Sequence, residues 1–229
     1  MEQTHQSLRA PLIEEAYEAV EAIDNNDYPE LKKELGDLFL HILFHADLAA
    51  EEGHFSLQEI MEAECTKLIY RHPHIFGETK VSGAGEVAKN WEQLKLKETG
   101  RTSILDGVPI NMPALQRAGR IQEKASKVGF DWKNPEQVLD KVHEELSEFL
   151  AETDSKRREE EFGDLLFSLV NFARHVKIEP ETALRNATIK FDKRFRAVEK
   201  EVEKSGIDWE KYSLEELDLL WNIAKQSSE

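Results

Sequence analysis

Cysteine is almost missing from this chain. Cys65 stands alone, so no intramolecular disulfide can form, and it is expected to be a buried or inert thiol. Positive charge is also scarce: 30 Lys and Arg face 46 Asp and Glu, a formal net charge of −16 over 229 residues. A surface of that sign disfavours nonspecific binding to nucleic acid or to acidic membranes, so neither is expected as a partner. It leaves room for a small anionic substrate, because a bound metal ion reverses the local field. No apolar run reaches the roughly 18–20 residues of a membrane span. The start, MEQTHQSLRAPLIEE, lacks a basic flank followed by an apolar stretch, so it does not read as a secretory signal and the cytoplasm is the expected compartment. Alternating strand patterns are absent as well.

What remains is helical periodicity. Apolar residues recur at helical spacing nearly throughout, and hydrophobic residues make up 40% of the chain, enough for a packed core. Pro11 opens a first expected helix, running to about Asn25. Pro29 sits near the start of a second, ending before Gly53. Ser56 and Glu59 form a capping box that opens a third, which stops before Pro73. A fourth is expected over 86–98. The stretch TGRTSILDGVPINMP carries two glycines and two prolines and reads as a linker over 99–112. Further helices are expected from Pro113 to about Val128, then over 135–153, 156–176 and 180–204. Asn134 and Pro135 look like an N-cap followed by proline at the first helical position. Ser213 and Glu216 form a second capping box, opening a last helix through Trp221. The fold class is therefore all-α, with two related bundles at 1–98 and 113–229.

The relation between the halves lies in their acids. Residues 14–18 read EEAYE and 34–37 read ELGD; residues 144–148 read EELSE and 161–164 read EFGD. Helical positions three or four apart share a face. Glu15 with Glu18, Glu34 with Asp37, Glu145 with Glu148, and Glu161 with Asp164 would each form a carboxylate pair. Four converging carboxylates repel unless a proton or cation sits between them. Oxygen donors alone suit a hard ion such as magnesium, with manganese as the alternative. Asp37 runs into LFLHILF and Asp164 into LLFSLV, so the acids border a buried face. Gly36 and Gly163 hold matching mid-helix positions, where glycine costs about 1 kcal/mol relative to alanine. Close approach of a backbone or a ligand would explain that cost. Each acidic set is followed by a basic pair, Lys67 with Arg71 and Lys190 with Arg194, suited to phosphate oxygens. Trp91 and Trp221 follow in turn, and Trp221 could stack on a base or anchor the last helix.

These residues resemble the MazG family of nucleoside triphosphate pyrophosphohydrolases, within the all-α NTP pyrophosphatase superfamily. The Glu-Glu-x-x-Glu and Glu-x-Gly-Asp signature carries the likeness in both halves. EQTHQSL at 2–8, RHPHIFG at 71–77, VGFDW at 128–132 and KFDKRF at 190–195 extend it over nearly the whole chain. The resemblance implies two tandem MazG-like bundles, magnesium-dependent hydrolysis of nucleoside triphosphates to monophosphate and pyrophosphate, and a homodimer. It implies metal ligation by Glu145, Glu148, Glu161 and Asp164, with Lys141 and Glu144 beside them near the nucleotide. Lys190, Arg194 and Trp221 would contact substrate, as would Arg157, which stands where the family often has lysine. Glu145 and Glu161 are expected to be essential to catalysis, and Glu144 is the candidate to orient the attacking water.

The first half departs more. Glu15, Glu18, Glu34 and Asp37 form a second candidate metal set, yet Glu30 stands where the other half has Arg157. Family members usually carry a Cys-Pro-Trp-Asp stretch and a helix ahead of EQTH, which this sequence lacks. The first bundle is thus expected to be short of its N-terminal helix and weak or inactive, and the second to be catalytic. Two other readings are a di-iron bundle, for which Glu2 with His5 and Glu51 with His54 have the spacing, and a nucleotide sensor or helical scaffold without turnover.

Overall fold

The computed structural model describes residues 3–77, 79, 81, 83, 87, 94 and 102–227. Among them all regular structure is helical and no strand occurs. The elements are α1 (Arg9–Asp24), α2 (Tyr28–Glu51), α3 (Leu57–Arg71), α4 (Pro73–Phe76), α5 (Ala114–Ser126), α6 (Pro135–Ala151), α7 (Ser155–His175), α8 (Pro180–Ser205) and α9 (Leu214–Ser227). A 3-10 turn at Trp209–Lys211 precedes α9. The expected helix over 86–98, with Trp91, lies outside the described residues.

The chain divides into two compact units, Met1–Gly100 and Arg101–Glu229. The segment 102–112 belongs to the second, where the Ile104 and Asp106 carbonyls accept hydrogen bonds from the buried Lys124 ammonium at 3.1 and 3.0 Å. In the first unit α1 and α2 form an antiparallel hairpin with α3 packed on α2. Most of its buried apolar positions are small: Ala19 and Ala22 on α1, Ala46 and Ala49 on α2, with Leu8 ahead of α1. Alanines at a helix crossing let two backbones come close, and they lose little side-chain entropy when buried. In the second unit α6 and α7 form the matching hairpin, α8 and α9 form another, and α5 packs on α7 and α8. Val138 and Val142 of α6 and Leu165 and Val170 of α7 are buried. Burying each such side chain is worth about 1.5–3 kcal/mol. Val198, Val202 and Ala224 form the inner part of the α8–α9 pair, backed by Tyr212, Leu217 and Trp221.

Helix ends follow the punctuation of the sequence. The Ser56–Glu59 box is complete: Ser56 Oγ accepts from the Glu59 backbone N–H, and the Glu59 carboxylate accepts from the Ser56 backbone N–H. Ser213 and Glu216 repeat it at α9, which continues past Trp221 to Ser227. Asp27 caps α2 and Asp154 caps α7. Asn134 lies at the N-cap of α6 but its side chain makes no capping bond, so Pro135, with no N–H to satisfy, sets that start by its fixed φ. RHPHIFG is more ordered than its proline suggests, since Pro73 opens the short α4. Cys65 is exposed on α3 rather than buried. No described helix is long and apolar enough to cross a membrane.

A polar knot joins distant parts of the second unit. Asp131, in VGFDW, accepts from Arg174 Nη1 and Nη2 at 2.9 and 2.5 Å and from His175 Nε2 at 3.0 Å. Asn171 Oδ1 accepts from Arg174 Nη2 at 2.6 Å. Burial pushes the Asp131 carboxyl up, but Arg174 and His175 outweigh it and hold it below its usual value. The end of α7 is thereby tied to the turn that launches α6.

Candidate active site

The acids of each half converge, three at a time. In the first unit Glu15 and Glu18 from α1 and Glu34 from α2 offer oxygens all within 4.8 Å of one another. In the second the trio is Glu145 from α6 with Glu161 and Asp164 from α7, within the same limit. Asp37 and Glu148, the fourth member of each expected set, stand outside the tightest group but act on it. Burial first, then the neighbouring Glu34 and Asp37, raise the Glu15 carboxyl above its usual range. Burial, then Glu148, Glu145 and Asp164, raise Glu161 in the same way. Glu18 is raised by burial and by Glu34. Such shifts are what crowded carboxylates produce when no cation lies among them.

One carboxylate of each trio is buried, and it is the one contributed by the opposite helix. Glu34 is 1% exposed, and among the described residues its Oε2 has no hydrogen-bond partner. Glu145 is 7% exposed. A lysine touches each. Lys33 Nζ lies 2.9 Å from Glu34 Oε1 and 2.8 Å from Glu30 Oε1. Lys141 Nζ lies 2.7 Å from Glu145 Oε1 and 2.8 Å from Glu144 Oε1. The hydrogen bond from Lys33, opposed by burial, holds the Glu34 carboxyl below its usual range. Bonds to Glu144 and Glu145 push Lys141 up, and bonds to Glu30 and Glu34 do the same to Lys33.

An all-carboxylate donor set with an orphaned buried oxygen fits a hard divalent cation. The two trios contain no histidine. Of the pairs with di-iron spacing, Glu2 lies outside the described residues, and His54 faces Glu52 at 3.3 Å at the end of α2.

The remaining expected contacts sit on other elements. Arg157 is exposed in the first turn of α7, its backbone N–H bound to Asp154. Lys190 is exposed on α8 and Arg194 half-buried one turn later. Trp221, on α9, packs against Phe191 with ring centroids 5.1 Å apart. Phe191 stacks on Phe195, and Phe195 on Trp209. Together they line an aromatic cleft of about 770 Å³ between α8 and α9, with Asp218 on its rim. Trp221 is thus both an anchor of the last helix and a wall of a cleft that can admit a planar ring. In the first unit Lys67 pairs with Glu64.

Sequence reading did not single out Lys33, Phe191, Phe195 or Trp209. Lys33 precedes Glu34 directly, and adjacent helical residues do not share a face, so only the geometry reveals that its long side chain folds back. Phe191 and Phe195 stand as a helical i, i+4 pair in KFDKRF, while Trp209 joins them only through the fold. Gly36 and Gly163 have nothing within 4 Å of where a Cβ would stand. Within each described unit no backbone approaches them, so the close contact expected there is not made by this chain's own unit.

Comparison with known proteins agrees with this picture. The MazG nucleotide pyrophosphohydrolase domain matches residues 3–76, which include the whole first acidic set. A nucleoside triphosphate pyrophosphohydrolase/pyrophosphatase MazG of Thermotoga maritima is 46% identical over 229 residues, covering 99% of this chain and 88% of that protein. A nucleoside triphosphate pyrophosphohydrolase of Escherichia coli K12 is 40% identical over 233 residues, covering 98% and 89%. The protein YabN of Bacillus subtilis 168, uncharacterised, is 44% identical over 231 residues, covering 98% of this chain and 47% of its own length. With identity of this order along nearly its full length and paired carboxylate trios on helical hairpins, the chain belongs to the MazG family of nucleotide pyrophosphohydrolases.

Proposed function

We propose that the protein hydrolyses nucleoside triphosphates, ribo- and deoxyribo-, to the monophosphate and pyrophosphate, with magnesium as cofactor and the second unit as the catalytic one. The observation that carries this is the trio Glu145, Glu161 and Asp164, with oxygens within 4.8 Å and an ammonium 2.7 Å from the buried member. Glu148, beside Glu161, completes the set that would hold the ion. A divalent ion there supplies charge neutralisation on phosphate oxygens and eases deprotonation of water.

The chain's own groups do the rest. Lys141 is tethered between Glu144 and Glu145, so its ammonium is presented at the mouth of the acidic set without a search through rotamers. Lys190, Arg194 and Arg157 offer donors for the negative oxygens of the triphosphate, Arg in bidentate fashion. Glu144, exposed and beside Lys141, orients the attacking water toward the α-phosphorus, with pyrophosphate leaving in line. Trp221 and its neighbouring rings stack on the base.

The same reading includes a homodimer. Leu35, Phe39 and Leu40 of α2 and Phe162, Leu166 and Phe167 of α7 are exposed large apolar side chains beside the two open glycines. A second copy would cover them, and the glycines would let its helices close in. The substrates it would meet are the cytoplasmic nucleotide pools.

The test is an assay with each of the eight common triphosphates and magnesium in ¹⁸O-water, products separated by chromatography. Monophosphate carrying the label, with unlabelled pyrophosphate, is the expected result, lost in Glu161→Gln. Diphosphate and orthophosphate would place the attack at another phosphorus and overturn the reading. Binding without turnover would leave a nucleotide sensor.

A further inference from the structure

α8 carries two adjacent stripes. Lys190 and Arg194 stand four residues apart, and Phe191 and Phe195 stand four apart one position on, so each pair shares a face. The phenylalanines wall the cleft of about 770 Å³ between α8 and α9, with Trp209 and Trp221 completing its aromatic lining. From Trp209 through Phe195 and Phe191 to Trp221 the ring centroids follow one another at 5.8, 5.8 and 5.1 Å. A nucleotide whose phosphates lie along the basic stripe therefore has its base beside the aromatic one.

The charged lining of this cleft is of one sign. Glu215 and Asp218, both from α9, line it, and no lysine or arginine among the described residues does. Asp218 stands three residues before Trp221, on the cleft side of α9. Its Oδ2 accepts from Asn222 Nδ2 at 3.0 Å, which steadies the carboxylate. Each carboxylate oxygen has two acceptor sites, so this bond leaves both oxygens able to accept again. An ionised carboxylate only accepts, so a base seated among these rings is read by the donors on its edge. Guanine presents N1–H and its 2-amino group side by side, matching the two oxygens with charge-assisted bonds. Adenine and cytosine each offer one amino group beside a ring nitrogen that accepts. Uracil and thymine hold a single N–H between two carbonyls, both of which the carboxylate repels.

We propose that Asp218, oriented by Asn222, reads the base edge and selects guanine nucleotides over those of uracil and thymine. This deepens the proposed function and rests on it in one respect, that the ligand is a nucleotide. The rings hold the plane of the base, and Asp218 tests its edge.

The experiment measures kcat/KM for guanosine, inosine, xanthosine and uridine triphosphates with magnesium. In parallel, quenching of tryptophan fluorescence by the guanosine, xanthosine and uridine monophosphates reads the cleft without turnover, since two of the chain's four tryptophans line it. In wild type the guanosine triphosphate should exceed the uridine one by about tenfold or more, carried by KM. Inosine triphosphate, which lacks the 2-amino group, should fall between them. Asp218→Asn exchanges one acceptor oxygen for a donor amide, which suits the N1–H and 2-carbonyl of xanthine. It should lower kcat/KM for guanosine triphosphate about tenfold and put xanthosine triphosphate ahead of it. Asp218→Ala should bring guanosine and uridine within about threefold of each other while helicity is kept. A residue with a merely structural role would not reverse the order of guanine and xanthine. Equal wild-type values for guanosine and uridine triphosphates would overturn the proposal. So would a guanine preference that survives Asp218→Asn, or one erased by Glu215→Gln with Asp218 intact. If no triphosphate is turned over, the proposed reaction fails by itself; the base reading is then decided by the quenching, where the same order and the same reversal are expected.

Discussion

Replacing Asp131 by alanine should unfold the second unit early, and the geometry sets how early. Asp131 accepts two bonds from Arg174 and one from His175, and the two charged side chains are 21% and 22% exposed. The variant would leave the guanidinium without its carboxylate partner, in contact with Asn171 and His175. Removing one member of a buried pair costs roughly 3–5 kcal/mol. The fifth of the surface that water still reaches reduces this to about 2–3 kcal/mol. At about 3 °C per kcal/mol for a protein of this size, the midpoint should fall by roughly 6–9 °C. Asp131→Asn keeps an acceptor and should lose about half as much. The pH dependence fixes the cause. Asp131 is held below its usual value when folded, so the unfolded chain takes up the proton first and stability falls as pH drops through that window. Its contribution is fully present above its ordinary value of 3.8 and vanishes below the depressed one. Scanning calorimetry at about pH 7 and about pH 3 should show a larger gap between wild type and Asp131→Ala at the first than at the second. A midpoint shift under about 2 °C, or a gap of equal size at both pH values, would refute the argument.

Mn²⁺ should raise the unfolding temperature of the wild-type protein, and Glu161→Gln should abolish that rise at the second unit along with turnover. Retained turnover in this variant would remove the second trio from the chemistry. Burial, then Glu148, Glu145 and Asp164, raise the Glu161 carboxyl above 4.5, so the folded metal-free protein takes up its proton early. Stability of the metal-free form should therefore rise slightly as pH falls through that range, opposite in sign to Asp131, while Mn²⁺ affinity declines. Mn²⁺ titrations from about pH 7 to about pH 5 that show constant affinity would contradict this. If the proposed homodimer forms through these faces, wild type should sediment as a dimer and Phe39→Asp with Phe167→Asp as a monomer, each unit staying helical by circular dichroism; an unchanged sedimentation coefficient would refute that interface.

Much of the helical framework could be read from the chain because its signals are local. Ser56 with Glu59, Ser213 with Glu216, Pro29 and Pro180 mark starts within one turn, and the structure puts the starts there. The carboxylate pairs were equally local, since i, i+3 spacing on a helix needs no tertiary information. Which three of four acids meet did not follow, because that depends on how far one helix of the hairpin slides along the other. The Asp131–Arg174 knot escaped for a related reason: its partners are 43 residues apart and each alone looks like a surface charge. The contact between His5 and His45, with Nδ1 atoms 2.7 Å apart, escaped likewise. It lays the EQTH segment on α2, where one ring donates and the other accepts. Burial and the neighbouring His5 and His41 hold His45 below its ordinary value.

Each trio takes two oxygens from one helix and the third, buried one from its partner in the hairpin. An ion joined to all three acts as a clasp across the hairpin, for α1 cannot part from α2, nor α6 from α7, without giving up the buried ligand. Breathing of the hairpin and release of the ion are then one event. Amide exchange along both helices of a hairpin should slow together when the ion binds, including at the helix ends far from the carboxylates. The chain between the helices is short, so little loop entropy is at stake. What the clasp fixes is register, the one property of these hairpins that their sequences leave loosely specified.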